Sequence, residues 1–288
     1  MDRLFRPAHR EQARARVIAL FAALAAINGA AWIALLAAAR GFPMLLPLGI
    51  TAYVLGLRHA VDADHIAAID ATTRKLMHQG KPAEAVGFFF SLGHSTIVIV
   101  LSIAVAAFGV ALKGFLPALQ STGALVGAWV SAIFLLVLAV ANAFVLIDLF
   151  RRPFAQNDAP LEGGPLARFL QPALKVVTTS AQMYPVGLLF GLGFDTATEV
   201  ALLGISAASG AGGMPIGYIL ILPWLFTAGM SLVDTAEGYA MGRAYGWANL
   251  RPSRKLLYNL NMTALTVLLT LFVGAAQAAA AVQALIRH

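Results

Sequence analysis

Residues 55–70 read LGLRHAVDADHIAAID, and within them His59, Asp62, Asp64 and His65 interrupt an apolar segment that begins near Met44. A charge near the centre of a bilayer costs about 2.5 to 3.5 kcal/mol on insertion scales, so ionisable side chains gathered there point to an ion path or an ion site. On a continuous helix His59, Asp62 and His65 follow at steps of three and fall within an arc of roughly 120°, which gives them one lumen-facing side. Asp64 points elsewhere. It joins the others only where the helix is kinked or unwound, or it serves as a partner that orients a histidine ring. Imidazole and carboxylate donors suit Ni(II), Co(II), Cu(II) or Zn(II) better than Mg(II) or Ca(II). The bland alternative is a buried hydrogen-bonded patch, but four such groups would be a costly way to join helices.

Working outward, the whole 288-residue chain is 60% hydrophobic and only 11% charged, with mean hydropathy +0.80. Such a chain is too apolar for a soluble globule and reads as an all-α polytopic membrane protein, one transmembrane domain over 1–288. Apolar stretches long enough to cross about 30 Å of hydrocarbon fall near 17–39, 44–70, 86–110, 124–150, 182–204, 214–241 and 256–286. These are read as seven helical spans. The first follows a basic N-terminus and is longer than a signal-peptide core. The polar stretch 151–181 is read as a cytoplasmic linker, with an interfacial helix over 166–182.

A net charge of +7 could suggest nucleic acid, yet the bases lie in loops between apolar spans. Lys and Arg gather before residue 17 and in 74–81, 151–175 and 243–255, while Arg40, Lys113 and Arg287 lie in the alternate loops. By the positive-inside rule the N-terminus is cytoplasmic, and the chain is expected to be integral to the inner, cytoplasmic membrane. Cysteine is absent, so thiolate ligands and disulfides are excluded.

Further ionisable groups sit inside later spans. His94 lies near the start of the third. Asp195 and Glu199 in the fifth span are one helical turn apart, as are Asp234 and Glu237 in the sixth. Neither of those spans carries Lys or Arg, so these acids require a cation, protonation or a histidine partner. Asn28 reads as interhelical glue in an Ala-rich first span, and Asp148 beside Arg151 as an interfacial charge pair. The chain has no P-loop, so it does not itself use ATP.

Four stretches then carry a resemblance in order along the chain: RHAVDADHI (58–66), LGHSTIV (92–98), LGFDTATEV (192–200) and LFTAGMSLVDTAEGYAMGRAYGWA (225–248). Together they resemble the signatures of the nickel/cobalt transporter (NiCoT) family of permeases. The resemblance implies a secondary transporter that takes up Ni2+ or Co2+, eight spans with both ends inside, and no ATPase subunit. The ion is then substrate rather than cofactor. Its ligands are expected to be His59, Asp64, His65 and His94, with Asp62, Asp195, Glu199, Asp234 and Glu237 as further ligands or path. Glu237 stands where the resemblance implies Asp, one methylene longer. Gly-preceded acidic motifs in spans two and five, each followed by a second Gly motif, further suggest an inverted repeat of helices 1–3 and 4–6.

Rival functions are weighed against this reading. Metal efflux through the same site shares all of the chemistry and differs only in the sign of flux. An intramembrane metallohydrolase would carry His-Glu-x-x-His, whereas this chain has His-x4-Asp-His. A retinal receptor needs a Schiff-base lysine in the last span, and 256–286 has none.

Overall fold

The apolar stretch read as one span over 44–70, with a kink left open at Asp64, is two helices, α2 (Leu45–His59) and α3 (Ala63–His78). Asp62 interrupts them, with extended backbone at φ −70° and ψ 145°. Charge placement accounts for the break. Arg58 and His59 occupy the last turn of α2, where the helix end is negative, and Asp64 occupies the first turn of α3, where it is positive. The Asp64 carboxylate also accepts the His65 N–H at 2.9 Å, satisfying one of the free donors of the new helix start.

This computed structural model describes residues 7–112, 116–151, 177–192, 197–248 and 252–287. The remaining helices are α1 (Pro7–Ala38), α4 (Val86–Leu112), α5 (Leu116–Arg151), α6 (Met183–Phe190), α7 (Ala197–Ala211), a single turn α8 (Ile216–Ile219), α9 (Ile221–Ala248) and α10 (Pro252–Arg287). No strand occurs among the described residues. Five helical stretches are long and apolar enough to cross a membrane: Ala13–Ala38, Val86–Phe108, Leu125–Phe144, Ile216–Gly246 and Leu260–Gln283. They match five of the seven expected spans. The other two, 44–70 and 182–204, are the broken pairs α2/α3 and α6/α7. Of the expected linker and interfacial helix, residues 152–176 lie outside the described residues, and Ser180–Gln182 forms a short 3-10 turn.

Large apolar side chains such as Ile33, Leu268 and Phe272 are exposed at 69%, 66% and 75%. Water penalises such a surface and hydrocarbon accepts it; the protein is integral to a membrane. Inside, one apolar cluster includes Ile69, Phe90, Leu135 and Met183, and a second includes Leu35, Ala52, Leu225 and Phe226. Asn28 ties α1 to its neighbours as glue: its Nδ2 donates to the Ala228 carbonyl at 3.2 Å, and Tyr53 OH donates to its Oδ1 at 3.0 Å.

The helices around the centre touch backbone to backbone. Gly56 of α2 lies on the Phe226 carbonyl of α9, while Gly229 of α9 lies on the Tyr53 carbonyl of α2. The same exchange recurs between α4 and α6, with Gly187 on the Phe90 carbonyl and Gly93 on the Tyr184 carbonyl. The motifs match as well: Tyr53-Val-Leu-Gly56 with Tyr184-Pro-Val-Gly187, and Phe90-Ser-Leu-Gly93 with Phe226-Thr-Ala-Gly229. Residue order makes each pair antiparallel. Between α4 and α9, which are also antiparallel, Ser91 Oγ donates to Ser231 Oγ at 3.0 Å and Gly87 meets the Asp234 backbone.

A methyl group at Gly56 or Gly187 would collide with a main-chain carbonyl, which has no rotamer to move. Gly56→Ala and Gly187→Ala should each destabilise the protein by about 1–3 kcal/mol, as overpacking does. Gly29→Ala, where nothing lies within 4 Å, should be neutral or slightly stabilising. Thermal unfolding of the detergent-solubilised variants reads the difference.

Candidate metal centre

Three imidazoles meet where the two apolar clusters join. His59 comes from the last turn of α2, His65 from the first turn of α3 and His94 from α4. All three are buried, and one ligand nitrogen from each lies within 4.8 Å of the others. Ring centroids are 4.6 Å apart for His59–His65, 4.8 Å for His59–His94 and 4.9 Å for His65–His94. The break at Asp62 makes this possible, because on a straight helix the rings of residues 59 and 65 would diverge. Phe90 packs edge-on to His65 at 4.8 Å, and Phe226 lies 5.4 Å from His59. The two equivalent phenylalanines of the repeated motif thus wall the cluster from opposite sides.

Hydrogen-bond partners fix how the rings face. His59 Nδ1 and Thr198 Oγ1 share a hydrogen bond at 3.0 Å, leaving Nε2 to face His94 Nε2 at 2.9 Å. His65 Nδ1 donates to Asp234 Oδ1 at 3.3 Å. His94 Nε2 donates to Glu199 Oε1 at 2.9 Å, and the same carboxylate oxygen lies 3.8 Å from His59 Nε2. For His59 and His65 a polar group on Nδ1 holds the ring and leaves Nε2 to point into the cluster, the arrangement found behind metal-binding imidazoles.

Of the other expected site residues, Glu199 in the first turn of α7 and Asp234 in α9 are fully buried against the rings. Asp62 sits at the rim, with Oδ2 3.4 Å from His59 Nδ1 and its other oxygen paired with Arg58. Asp64 caps the start of α3, and the group of converging ligand atoms consists of the three histidines. Glu237 lies one turn beyond Asp234 with a buried Oε1 that has no hydrogen-bond partner. Asp195 lies outside the described residues. Sequence reasoning did not single out Thr198, although it stands next to Glu199 within LGFDTATEV. It also missed a second buried polar group: Asp70 accepts from Arg74 Nε at 3.0 Å, Tyr245 OH at 3.0 Å and Thr266 Oγ1 at 2.7 Å.

With neutral rings, Glu199 and Asp234 leave two negative charges in a buried site. A small dication would balance them, and three imidazole nitrogens with carboxylate oxygens form a donor set for a borderline transition ion. The NicO family, described as high-affinity nickel-transport protein, matches residues 45–287. The chain belongs to that family. It is 45% identical over 272 residues to a high-affinity nickel transport protein of Cupriavidus necator, covering 91% of this chain and 78% of the relative. It is 48% identical over 238 residues to the high-affinity nickel-transport protein NixA of Helicobacter pylori, covering 77% of this chain and 71% of that one. A cobalt transport protein, NhlF of Rhodococcus rhodochrous, is 45% identical over 239 residues, covering 78% and 68%. No solved structure matches. The four motifs that carry the resemblance to nickel and cobalt permeases all lie inside the matched region.

Thr198→Val keeps the shape of the side chain but removes the hydroxyl that holds His59. Leaving a buried ring nitrogen with a weakened partner costs about 1–3 kcal/mol, so the melting temperature should fall, and Thr198→Ser should restore it. Differential scanning of the purified protein without metal checks this.

Proposed function

We propose that this chain takes up Ni2+ or Co2+ across the cytoplasmic membrane through the buried histidine cluster. The observation that carries the proposal is the convergence of three buried imidazoles on one point, with ligand nitrogens within 4.8 Å, beside two carboxylates. The named activities of its relatives, nickel transport and cobalt transport, support the ion class. The family and the relatives are metal transporters, not enzymes, and the ion is cargo rather than cofactor.

His59, His65 and His94 strip and hold the ion. Glu199 and Asp234 offset its charge, Asp64 fixes the start of α3 beneath His65, and Asp62 belongs to the approach. The chain works as a single transmembrane domain with its N-terminus in the cytoplasm and without an ATPase subunit. An inside-negative potential contributes about 2.3 kcal/mol per charge per 100 mV, and twice that for a dication, which favours entry over efflux. The duplicated glycine crossings support an inverted repeat, in which α2/α3 and α4 correspond to α6/α7 and α9, with the site at the repeat interface. Rocking at that interface exposes the site to one face and then the other.

His59→Ala, His65→Ala and His94→Ala should each reduce radioactive nickel accumulation to background at unchanged membrane abundance. Losing an outer-shell partner alone typically costs about 10- to 100-fold in metal affinity, and losing a ligand costs more. Normal accumulation in any two of them would refute the assignment, and net loss of preloaded nickel from wild-type cells would turn it into efflux. Glu237→Asp should retain uptake while shifting the Ni2+ to Co2+ preference a few-fold in a competition assay.

A further inference from the structure

A polar lane leaves the histidine cluster along the seam between α3 and α9. The two helices run parallel there: His65 faces Asp234, Ile69 packs on Gly238, and Thr73 lies beside Gly242. Buried side-chain atoms without a hydrogen-bond partner recur along it, namely Asp234 Oδ2, Glu237 Oε1 and Thr73 Oγ1, with Thr263 Oγ1 on α10. Folded proteins leave few buried polar atoms unpaired, and a run of them calls for a reason. Between roughly 7 and 13 Å from His65 by helical rise, the lane meets a closed polar knot. Asp70 and Arg74, each 3% exposed, form a buried ion pair. Tyr245 OH from α9 and Thr266 Oγ1 from α10 donate to the same carboxylate, and the Arg74 guanidinium stacks 3.8 Å over the Tyr245 ring.

An ion pair removed from water contributes little net stability and is very costly to break by removing one partner. Its position is therefore more informative than its strength. It joins the C-terminal half of α3 to α9 and α10 beside the basic segments 74–81 and 243–255, at the end of the lane opposite the cluster. On the opposite side of the cluster, α4 and α7 also run parallel, with His94 at Glu199 and Ala106 at Gly210. Because α4 and α9 are antiparallel, this second seam leaves in the other direction. It carries serines, Ser102 and Ser206, and no comparable knot among the described residues.

We propose that the α3–α9 seam is the ion's exit to the cytoplasm, with Asp234 and Glu237 as successive carboxylate stations, and that the Asp70–Arg74–Tyr245–Thr266 knot is the gate that closes it. This rests on the transport reading above. A hydrated dication leaving His65 meets oxygen ligands at each step. It passes only when Arg74 gives up Asp70 and α3 moves away from α9 and α10.

The cysteine-free chain allows a direct test by single-cysteine labelling. Thr73→Cys, at the level of the gate between Asp70 and Arg74, and Lys81→Cys, exposed beyond it, are each reacted with a cationic methanethiosulfonate reagent applied to the cytoplasmic face of inside-out vesicles. Thr73→Cys should label far more slowly than Lys81→Cys. Adding Tyr245→Phe and Thr266→Val, which removes two of the donors to Asp70, should raise its rate about tenfold or more. Arg74→Lys, which keeps the charge but loses the stacked guanidinium, serves as the second gate variant should the first not fold. Nickel binding to the purified gate variants should stay within a few-fold of wild type, because the histidine cluster is untouched. Thr73→Cys labelling as fast as Lys81→Cys in the intact chain, or unchanged labelling in a folded gate variant, would overturn the proposal. Should wild type neither bind nor move nickel, the transport reading fails, whereas the labelling rates still report whether the knot controls access.

Discussion

Two carboxylates held out of water beside buried imidazoles are the constraint on which the central architecture rests. Glu199 and Asp234 each face an imidazole, from α7 and α9 respectively. In a medium of low dielectric constant, isolated carboxylates would take up protons or draw in a positive partner. A proton shared with a facing imidazole meets that need in part, and a dication meets it in full. Nitrogen and oxygen donors converging on one point make a small dication the partner the geometry suits.

Breaking two helices sets up that site and also creates an electrostatic cost. The starts of α3 and α7 both point toward the cluster, and a helix start carries partial positive charge. That is unfavourable beside a bound cation. The acids found at those starts, Asp64 on α3 and Glu199 on α7, are placed to offset it. The apolar walls, Phe90 and Phe226, then keep bulk water away from the rings. The same residues that end and restart the helices therefore also set the charge of the site.

Much of this was legible in the chain itself. His59, His65 and His94 stand out because ionisable groups in apolar segments have few bland explanations. The paired acids of spans five and six stand out because no base accompanies them. The break within 44–70 is open in the sequence rather than placed by it: in a largely apolar segment periodicity carries no mark of a break, and the decisive sign is the order of charges, Arg58-His59 before Asp62 and Asp64. Thr198 and the Asp70 knot were not legible at all. The partners of Asp70 on α9 and α10 lie far along the chain, at Tyr245 and Thr266, and only packing brings them together. The duplicated crossings were half visible, as glycine motifs whose contacts could not be known.

Those crossings also limit how the helices move. Each glycine clasp joins a helix of the first half to one of the second, α2 with α9 and α4 with α6. Main chain pressed on main chain tolerates little sliding, and the contact of Gly87 with the Asp234 backbone ties the two clasped pairs to each other. Helices joined in this way tilt about their crossings rather than slip along one another, so an opening changes the angle between the helices that carry His59 and His94 and leaves the depth of both rings in the bilayer unchanged.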